Sequence, residues 1–275
     1  SDTVFRKRMS LMSLWQEQAE NFFVERADFT FKRYLGDDFA GNLMSSYPVL
    51  CHRDLSDQMG QMLRPTAKPW FHMLPQDIRR EDHEAKQWLE WATGVQRRAM
   101  YDPNSLFTKA LREGDNDFSC FGQCVISVKL NRARDTLLYQ CWHLRDVCWM
   151  ENDEGKIGTI FRRWAVSAHT LKRLFGSKNH KSLEDKVKKD PFQDIQCLHI
   201  IVEAELWDGN ARGRPYVSIY YDITHSHEIE STPVWSKEYC IPRWLTVSGS
   251  QYAYSPATVA ALPEARLLQS MTYTL

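Results

Sequence analysis

The residues best suited to chemistry begin with a histidine pair. His225 and His227 are two apart, with Glu228 and Glu230 close behind. In an extended segment two such histidines share a face, and imidazole with carboxylate is a donor set for zinc. Spacing fixes no third ligand, so a polar turn between strands is the expected reading over a metal site. Asp37-Asp38 has two carboxylates that suit a divalent ion, but a helix-breaking acidic turn is the expected reading. The seven cysteines are Cys51, Cys120, Cys124, Cys141, Cys148, Cys197 and Cys240. Their number is odd and their spacings match neither a zinc finger nor a small disulfide framework. Reduced, mostly buried thiols made in a cytosol are expected.

Phosphate chemistry is not signalled. Gly176-Ser-Lys-Asn-His-Lys-Ser182 has a lysine and a serine but lacks the second glycine of a phosphate loop. No Gly-x-Ser-x-Gly elbow is present either. No nucleophile, base and oxyanion donor are nominated together. The expectation is therefore no catalytic residue, no metal and no cofactor. A metal-dependent nucleic-acid hydrolase built on His225 and His227 stays as the rival enzyme reading. A monomeric protein-binding module is a third.

The elements that must carry these residues are α+β in order, helices first and strands after. Residues 4–35 predict one long amphipathic helix, with Phe5, Met9, Met12, Trp15, Ala19 and Phe22 three or four apart. A second helix is expected over 50–63. Two prolines hold 64–73 extended, anchored by Trp70 and Phe71. A third helix begins near Ile78, and a fourth follows Asp102-Pro103-Asn104-Ser105 and ends at Gly114.

From Cys124 the period changes to two. Strands are expected at 124–130, 137–142, 145–149 and 159–164, with Asn152-Asp-Glu-Gly155 as a hairpin turn. Ser167 caps a short helix that Gly176 ends. A lysine-rich segment follows over 177–190. Residues 192–240 then predict a three-strand meander: Leu198, Ile200, Val202, Ala204 and Leu206 on one face, Val217, Ile219, Tyr221 and Ile223 on the return strand, and 234–240 as the third. Such a sheet has an apolar face and little to cover it. Ser255 and Pro256 open a last helix bearing Ala265, Leu268, Met271 and Leu275. Uncapped and still periodic where the sequence stops, this helix is expected to belong to a longer chain and to need neighbours. The start at Ser1 suggests lost residues there too.

Composition narrows the partners. Lysine plus arginine equals aspartate plus glutamate, 35 each, so a dedicated nucleic-acid gripper is disfavoured. No secretory leader is evident, and no apolar run reaches the roughly 18 residues a membrane span needs. Ten tryptophans suit a large aromatic core or an interface.

In this order the segments resemble a family, the portal or head-to-tail connecting proteins of short-tailed bacteriophages. Four stretches carry the resemblance: Leu63-Arg-Pro-Thr-Ala-Lys-Pro-Trp-Phe-His-Met73; Pro103-Asn-Ser-Leu-Phe107 with Phe121-Gly122; Gly158-Thr-Ile-Phe-Arg-Arg-Trp164 with Ser167-Ala-His-Thr-Leu-Lys-Arg-Leu-Phe-Gly176; and Pro242-Arg-Trp244, Tyr254-Ser-Pro256 and Ala261-Leu-Pro263. The chain departs from the pattern at Ala253, where a glycine is expected, and by stopping where the family continues into further stem, tunnel loop and crown.

The resemblance implies a structural virion protein, not an enzyme. It implies a ring, typically of twelve copies, at a capsid vertex, assembled from subunits made in the host cytoplasm. Double-stranded DNA would pass through it non-specifically during packaging and ejection. Its partners would be itself, the packaging motor (terminase), tail adaptor proteins, and capsid and scaffold proteins, with no membrane. The implied subunit has a wing of helices and strands over 1–165, a stem helix and basic segment over 166–190, a clip-like β meander over 191–245, and the start of a second stem helix over 246–275.

Candidate subunit-interface residues on this reading are Trp207, Trp235, Trp244, Tyr221, Leu268 and Met271, with Trp15 and Trp70 as further tryptophans. Candidate DNA-channel or motor contacts are Lys172, Arg173, Lys186, Lys188 and Lys189.

Overall fold

A computed structural model describes residues 2–34, 36, 41, 43–65, 68–75 and 83–274. Among them the fold is mixed α+β, with two antiparallel sheets. The chain forms two compact units. One holds residues 1–9 and 143–237, the other residues 10–142 and 238–275. This division falls at other positions than the wing, stem and clip boundaries implied by the resemblance. Asp37-Asp38, Ile78 and Leu275 lie outside the described residues.

The N-terminal helix is shorter than its periodicity predicts. It is two helices, α1 (Asp2–Lys7) and α2 (Met9–Phe22), broken at Arg8. The Arg8 side chain is buried and donates to the carbonyls of Leu144 (2.7 Å), Val147 (2.6 Å) and Arg145. After α2 the chain turns back, because Gln16 substitutes for backbone partners. Its Oε1 accepts from the Phe29 amide at 2.8 Å and its Nε2 donates to the Ala27 carbonyl at 3.2 Å. A side chain that satisfies a loop's backbone removes the cost of leaving the helix.

The helical unit continues with α3 (Tyr47–Leu63), α4 (His83–Met100) and α5 (Phe107–Phe121). The first starts earlier than expected, with Pro48 in its first turn. The last runs straight through Gly114, where an end is predicted, and stops at Gly122. Gly114 is there for proximity: a Cβ on it would meet Ile126 Cδ1 at 2.9 Å. That strand residue belongs to β1 (Val125–Leu130), which pairs with β2 (Leu137–Trp142). Cys124, Ile126 and Tyr139 pack with Phe107, Ala110 and Met100 in one apolar cluster. Trp15, Phe29, Phe121 and Tyr252 form a second aromatic group, with Trp15 within 6.4 Å of each of the others. Trp15 is 1% exposed, so it is a core residue and not an interface candidate. Trp70 is partly buried, with its indole N–H on the Tyr101 hydroxyl.

The other unit is a five-stranded sheet, and this corrects the expected meander. The strands are β3 (Val147–Glu151), β4 (Ile157–Ser167), β5 (Asp194–Glu203), β6 (Tyr216–Asp222) and β7 (His227–Val234), adjacent in that order. The third meander strand, expected over 234–240, lies earlier, as β7, which ends at Val234. The short β8 (Tyr239–Cys240) pairs instead with β1. Between β4 and β5 lie α6 (Ala168–Phe175) and α7 (Ser182–Lys189). Ser167 Oγ accepts from the Thr170 amide at 3.3 Å, and the Gly176 amide closes the end of α6 on the Lys172 carbonyl.

Facing residues of paired antiparallel strands share a side. Ile160, Arg162, Trp164 and Val166 of β4 therefore lie on one face with Ile201, His199, Cys197 and Ile195 of β5. Leu171 and Leu183 of the two helices cover this face. The opposite face carries the buried Leu198 and Val217 beside Ile200, Val202, Ile219 and Tyr221, which are half-buried. Alternation named that second face as the apolar one. Strand β5 is apolar on both sides, and the helices bury its odd-numbered residues most deeply.

The last helix, α8 (Leu262–Thr274), follows a wide turn over Ala257–Ala261 in which the Leu262 amide reaches back to the Ala257 carbonyl. Pro263 has no amide to donate, and its ring would clash with the carbonyl four residues earlier in regular helix. The wider turn accommodates it. Ser255 does not cap through its side chain as expected; its Oγ donates to the Cys120 carbonyl at 2.6 Å.

Candidate assembly surfaces

Each histidine of the pair has a partner within the chain. His225 Nδ1 is 2.6 Å from Asp222 Oδ2, and His227 Nε2 is 3.0 Å from the Lys178 carbonyl. Among the described residues, no group of three or more histidine, cysteine or acidic side chains is arranged to hold a metal ion. Glu228 is exposed, and Glu230 pairs with Lys178 at 2.7 Å.

The thiols divide by burial. Burial pushes the Cys148 thiol up to about 11 and the Cys197 thiol up to about 12, while Asp222 adds to the second. Cys120, Cys124 and Cys141 are likewise raised by burial, with the Asp117 charge contributing. Raised thiols stay protonated and are poor nucleophiles and ligands. No two cysteines are joined.

Surface, not a pocket, is what the candidate residues offer. Trp235 follows β7 directly and is 71% exposed, with no aromatic ring stacked on it among the described residues. Trp207 sits in the β5–β6 connection and folds over its own turn. A Cβ on Gly209 would meet the Trp207 ring at 2.2 Å, so the glycine makes room for the indole. Tyr221 lies on the half-buried face of the five-stranded sheet. In the helical unit, Trp244 stacks on Phe118, with ring centroids 5.3 Å apart and planes 13° apart.

Helix α8 is partly supplied with neighbours by this chain. Leu262 and Ala265 are buried. Arg266 grips Glu17 of α2 through two bonds, 2.5 and 2.7 Å, and these hold the Glu17 carboxyl below its ordinary value. Gln269 Oε1 accepts from the Met44 and Ser45 amides, both at 2.8 Å. Leu268 is half-buried. Val259, Leu267, Met271 and Tyr273 remain exposed.

The basic candidates are on α6 and α7. Lys172 faces Glu184 at 3.7 Å, Arg173, Lys188 and Lys189 are exposed, and Lys186 is half-buried. Sequence reasoning missed a further aromatic surface. Trp88 and Trp91 of α4 are each about 60% exposed, with their rings 6.5 Å apart. Their spacing of three places both on one helix face, but periodicity assigns such a face to the core unless the neighbouring elements are known.

With this geometry in view, one comparison decides the family. The model of the bacteriophage head to tail connecting proteins matches residues 2–274. The chain belongs to that family. It is a head-to-tail connector, a structural component of the phage virion. No curated protein sequence matches it. Among the described residues, no helix of this connector is long and apolar enough to cross a membrane.

Proposed function

We propose that this connector is one subunit of a closed ring, typically of twelve copies, at a capsid vertex. Double-stranded DNA passes along the ring axis during packaging and ejection. Terminase docks on the ring first and tail adaptors later, while capsid and scaffold proteins hold its rim. On this reading residues 1–165 contribute the wing, 166–190 and 246–275 the stem, and 191–245 the clip. The observation that carries the proposal is the family match across residues 2–274.

Surface chemistry supports it. A cyclic ring needs two different patches per subunit, and obligate interfaces are large and apolar. Exposed Trp235, Met271, Tyr273 and Leu267 are the kind of residue such patches bury. Lys188 and Lys189, with Arg173, offer phosphate contacts without a deep groove. A conduit must release DNA at every step, so weak, sequence-independent and salt-sensitive contact is expected.

Sedimentation tests the ring. The intact connector should sediment as a closed multimer, and Trp235→Ala should lower the ring fraction without moving the urea midpoint. Trp207→Ala is the less clean variant, because that indole also closes its own turn. A wild-type protein that stays a single subunit at high concentration overturns the proposal. So does a Trp235→Ala protein with unchanged ring mass, for the role of that tryptophan.

A further inference from the structure

Three histidines gather where the α6–α7 segment meets the β6–β7 turn. His180 stacks face to face on His225, centroids 5.2 Å apart and planes 13° apart. His227 meets His180 edge-on at 5.6 Å. The bonds around the trio fix what each ring does. His225 Nδ1 donates to Asp222 Oδ2 at 2.6 Å, and that residue is 1% exposed. His225 Nε2 is buried without a partner. His227 Nε2 donates to the Lys178 carbonyl at 3.0 Å. Most telling is His180: its Nδ1 accepts the backbone N–H of Ser182 at 3.3 Å. Ser182 is the first residue of α7, and no side chain of the preceding Lys181 caps that end.

We infer that His180 is a proton-operated cap: neutral, it holds the first turn of α7, and protonated, it releases that turn. An acceptor nitrogen that takes a proton becomes a donor facing a donor, so the Ser182 bond is lost. The new charge also sits at the positive end of the helix dipole, where a cation is disfavoured. Histidine is the side chain whose ordinary titration lies between pH 5 and 8.

The charges around the trio sharpen the effect. On the β6 side, the Asp222 carboxylate lies 2.6 Å from His225 Nδ1, and the His225 ring stacks on His180. Cys197 of β5 lies within reach of both Asp222 and Arg162 of β4. Lys178 is paired with Glu230 of β7. On α7, Glu184 and Asp185 occupy the first turn, with Glu184 facing Lys172 of α6. The two acids on α7 are neighbours in the sequence and both are exposed. They do not replace the acceptor that Ser182 loses. Release therefore loosens α7 and re-aims Lys186, Lys188 and Lys189, while the sheet keeps its pairing.

Hydrogen exchange on the intact chain tests this, read as protection relative to unstructured peptides at each pH. Between pH 8 and pH 5.5, amides of α7 should lose at least tenfold protection, while those of β4 and β5 hold theirs. His180→Asn keeps a good acceptor that cannot be protonated in this range, and its α7 protection should be flat with pH. Unchanged wild-type α7 protection overturns the inference, as does an equal acid loss in His180→Asn. A readout without substitution is the nitrogen resonance of His180. Nδ1 should be unprotonated at pH 8, and a protonated Nδ1 there overturns the cap directly.

Discussion

The two units solve the same problem in different ways. In the five-stranded sheet, distant segments are joined by the ladder itself; β4 and β5 pair over eight consecutive positions from Ile160 to Ser167. The helical unit has only short strands, so buried side chains stand in for a ladder. The Cys120 carbonyl receives both Gln18 Nε2 at 3.2 Å and Ser255 Oγ at 2.6 Å. Gln123 Oε1 accepts from the Ala253 amide at 2.9 Å. Arg26 pairs with the buried Asp117 at 2.7 Å. A ladder tolerates the loss of one contact among many. A hub of single contacts at the end of α5 does not.

Two glycines with nearly the same backbone angle isolate that difference. Gly122, at the hub, has φ +77, and Gly155, in the β3–β4 turn, has φ +73. Both conformations strain a side-chain-bearing residue. Only Gly122 is also crowded: a Cβ there would lie 2.3 Å from the Tyr254 carbonyl carbon and 2.7 Å from the Ser255 nitrogen. Those are backbone atoms and cannot swing aside. Gly122→Ala should cost more than about 3 kcal/mol, as strain plus overpacking. The test is urea unfolding, with exchange protection in α5 lost first. A cost under about 1 kcal/mol would show that the segment around Tyr254 shifts freely, and the hub would lose its meaning.

Much of the hub was hidden in the sequence for a physical reason. The helices α3 and α5, the strand β2, the Asn152–Gly155 turn and the Ser167 start of α6 follow from local signals, because caps, turns and periodicity act within a few residues. Gly114 was misread as a stop because a glycine placed for close approach looks the same as one placed for a left-handed cap. The deep face of β5 was misassigned because Ile195, Cys197 and Ile201 alternate with Leu198, Ile200 and Val202, and only the covering helices break the tie. Among the candidate contacts, Trp235 is as exposed as an interface residue must be, whereas Trp15 is core. Both are tryptophans in apolar periodic segments, and no local pattern separates them. His180 passed as one residue of a polar basic loop. Its partners, Ser182 apart, lie 45 residues away or more, in the β6–β7 turn and at the start of β7.

Acid sharpens the comparison next. In the helical unit, His52 of α3 is 6% exposed, with Nε2 3.0 Å from the Asn116 carbonyl and Nδ1 buried without a partner. Burial pushes its pKa below the ordinary value, against the Asn116 bond and the Asp117 charge. The unfolded chain then binds the proton more readily than the folded one. Stability is complete above the ordinary histidine range near about pH 6.5 and falls as pH drops below it. The slope is at most about 1.4 kcal/mol per pH unit for one proton. His52→Phe should remove that slope from exchange protection in α3 and α5. In the sheet unit the acid response should instead be confined to α7. A global loss of β4–β5 protection over the same range would erase the contrast.

The smallest effect belongs to the turn. Gly155 has nothing within 4 Å of where a Cβ would be, and its amide already closes on the Asn152 carbonyl at 3.0 Å. Only the left-handed backbone opposes a side chain there. Gly155→Ala should therefore cost about 1 kcal/mol, partly offset because alanine also restricts the unfolded chain. Asparagine tolerates this backbone region better than alanine, so Gly155→Asn should recover part of the loss. If Gly155→Ala instead costs as much as Gly122→Ala, crowding by the Tyr254 backbone is not what sets the hub apart. The positive φ alone would then explain both glycines, and the contrast between ladder and hub would have to rest on the buried glutamines.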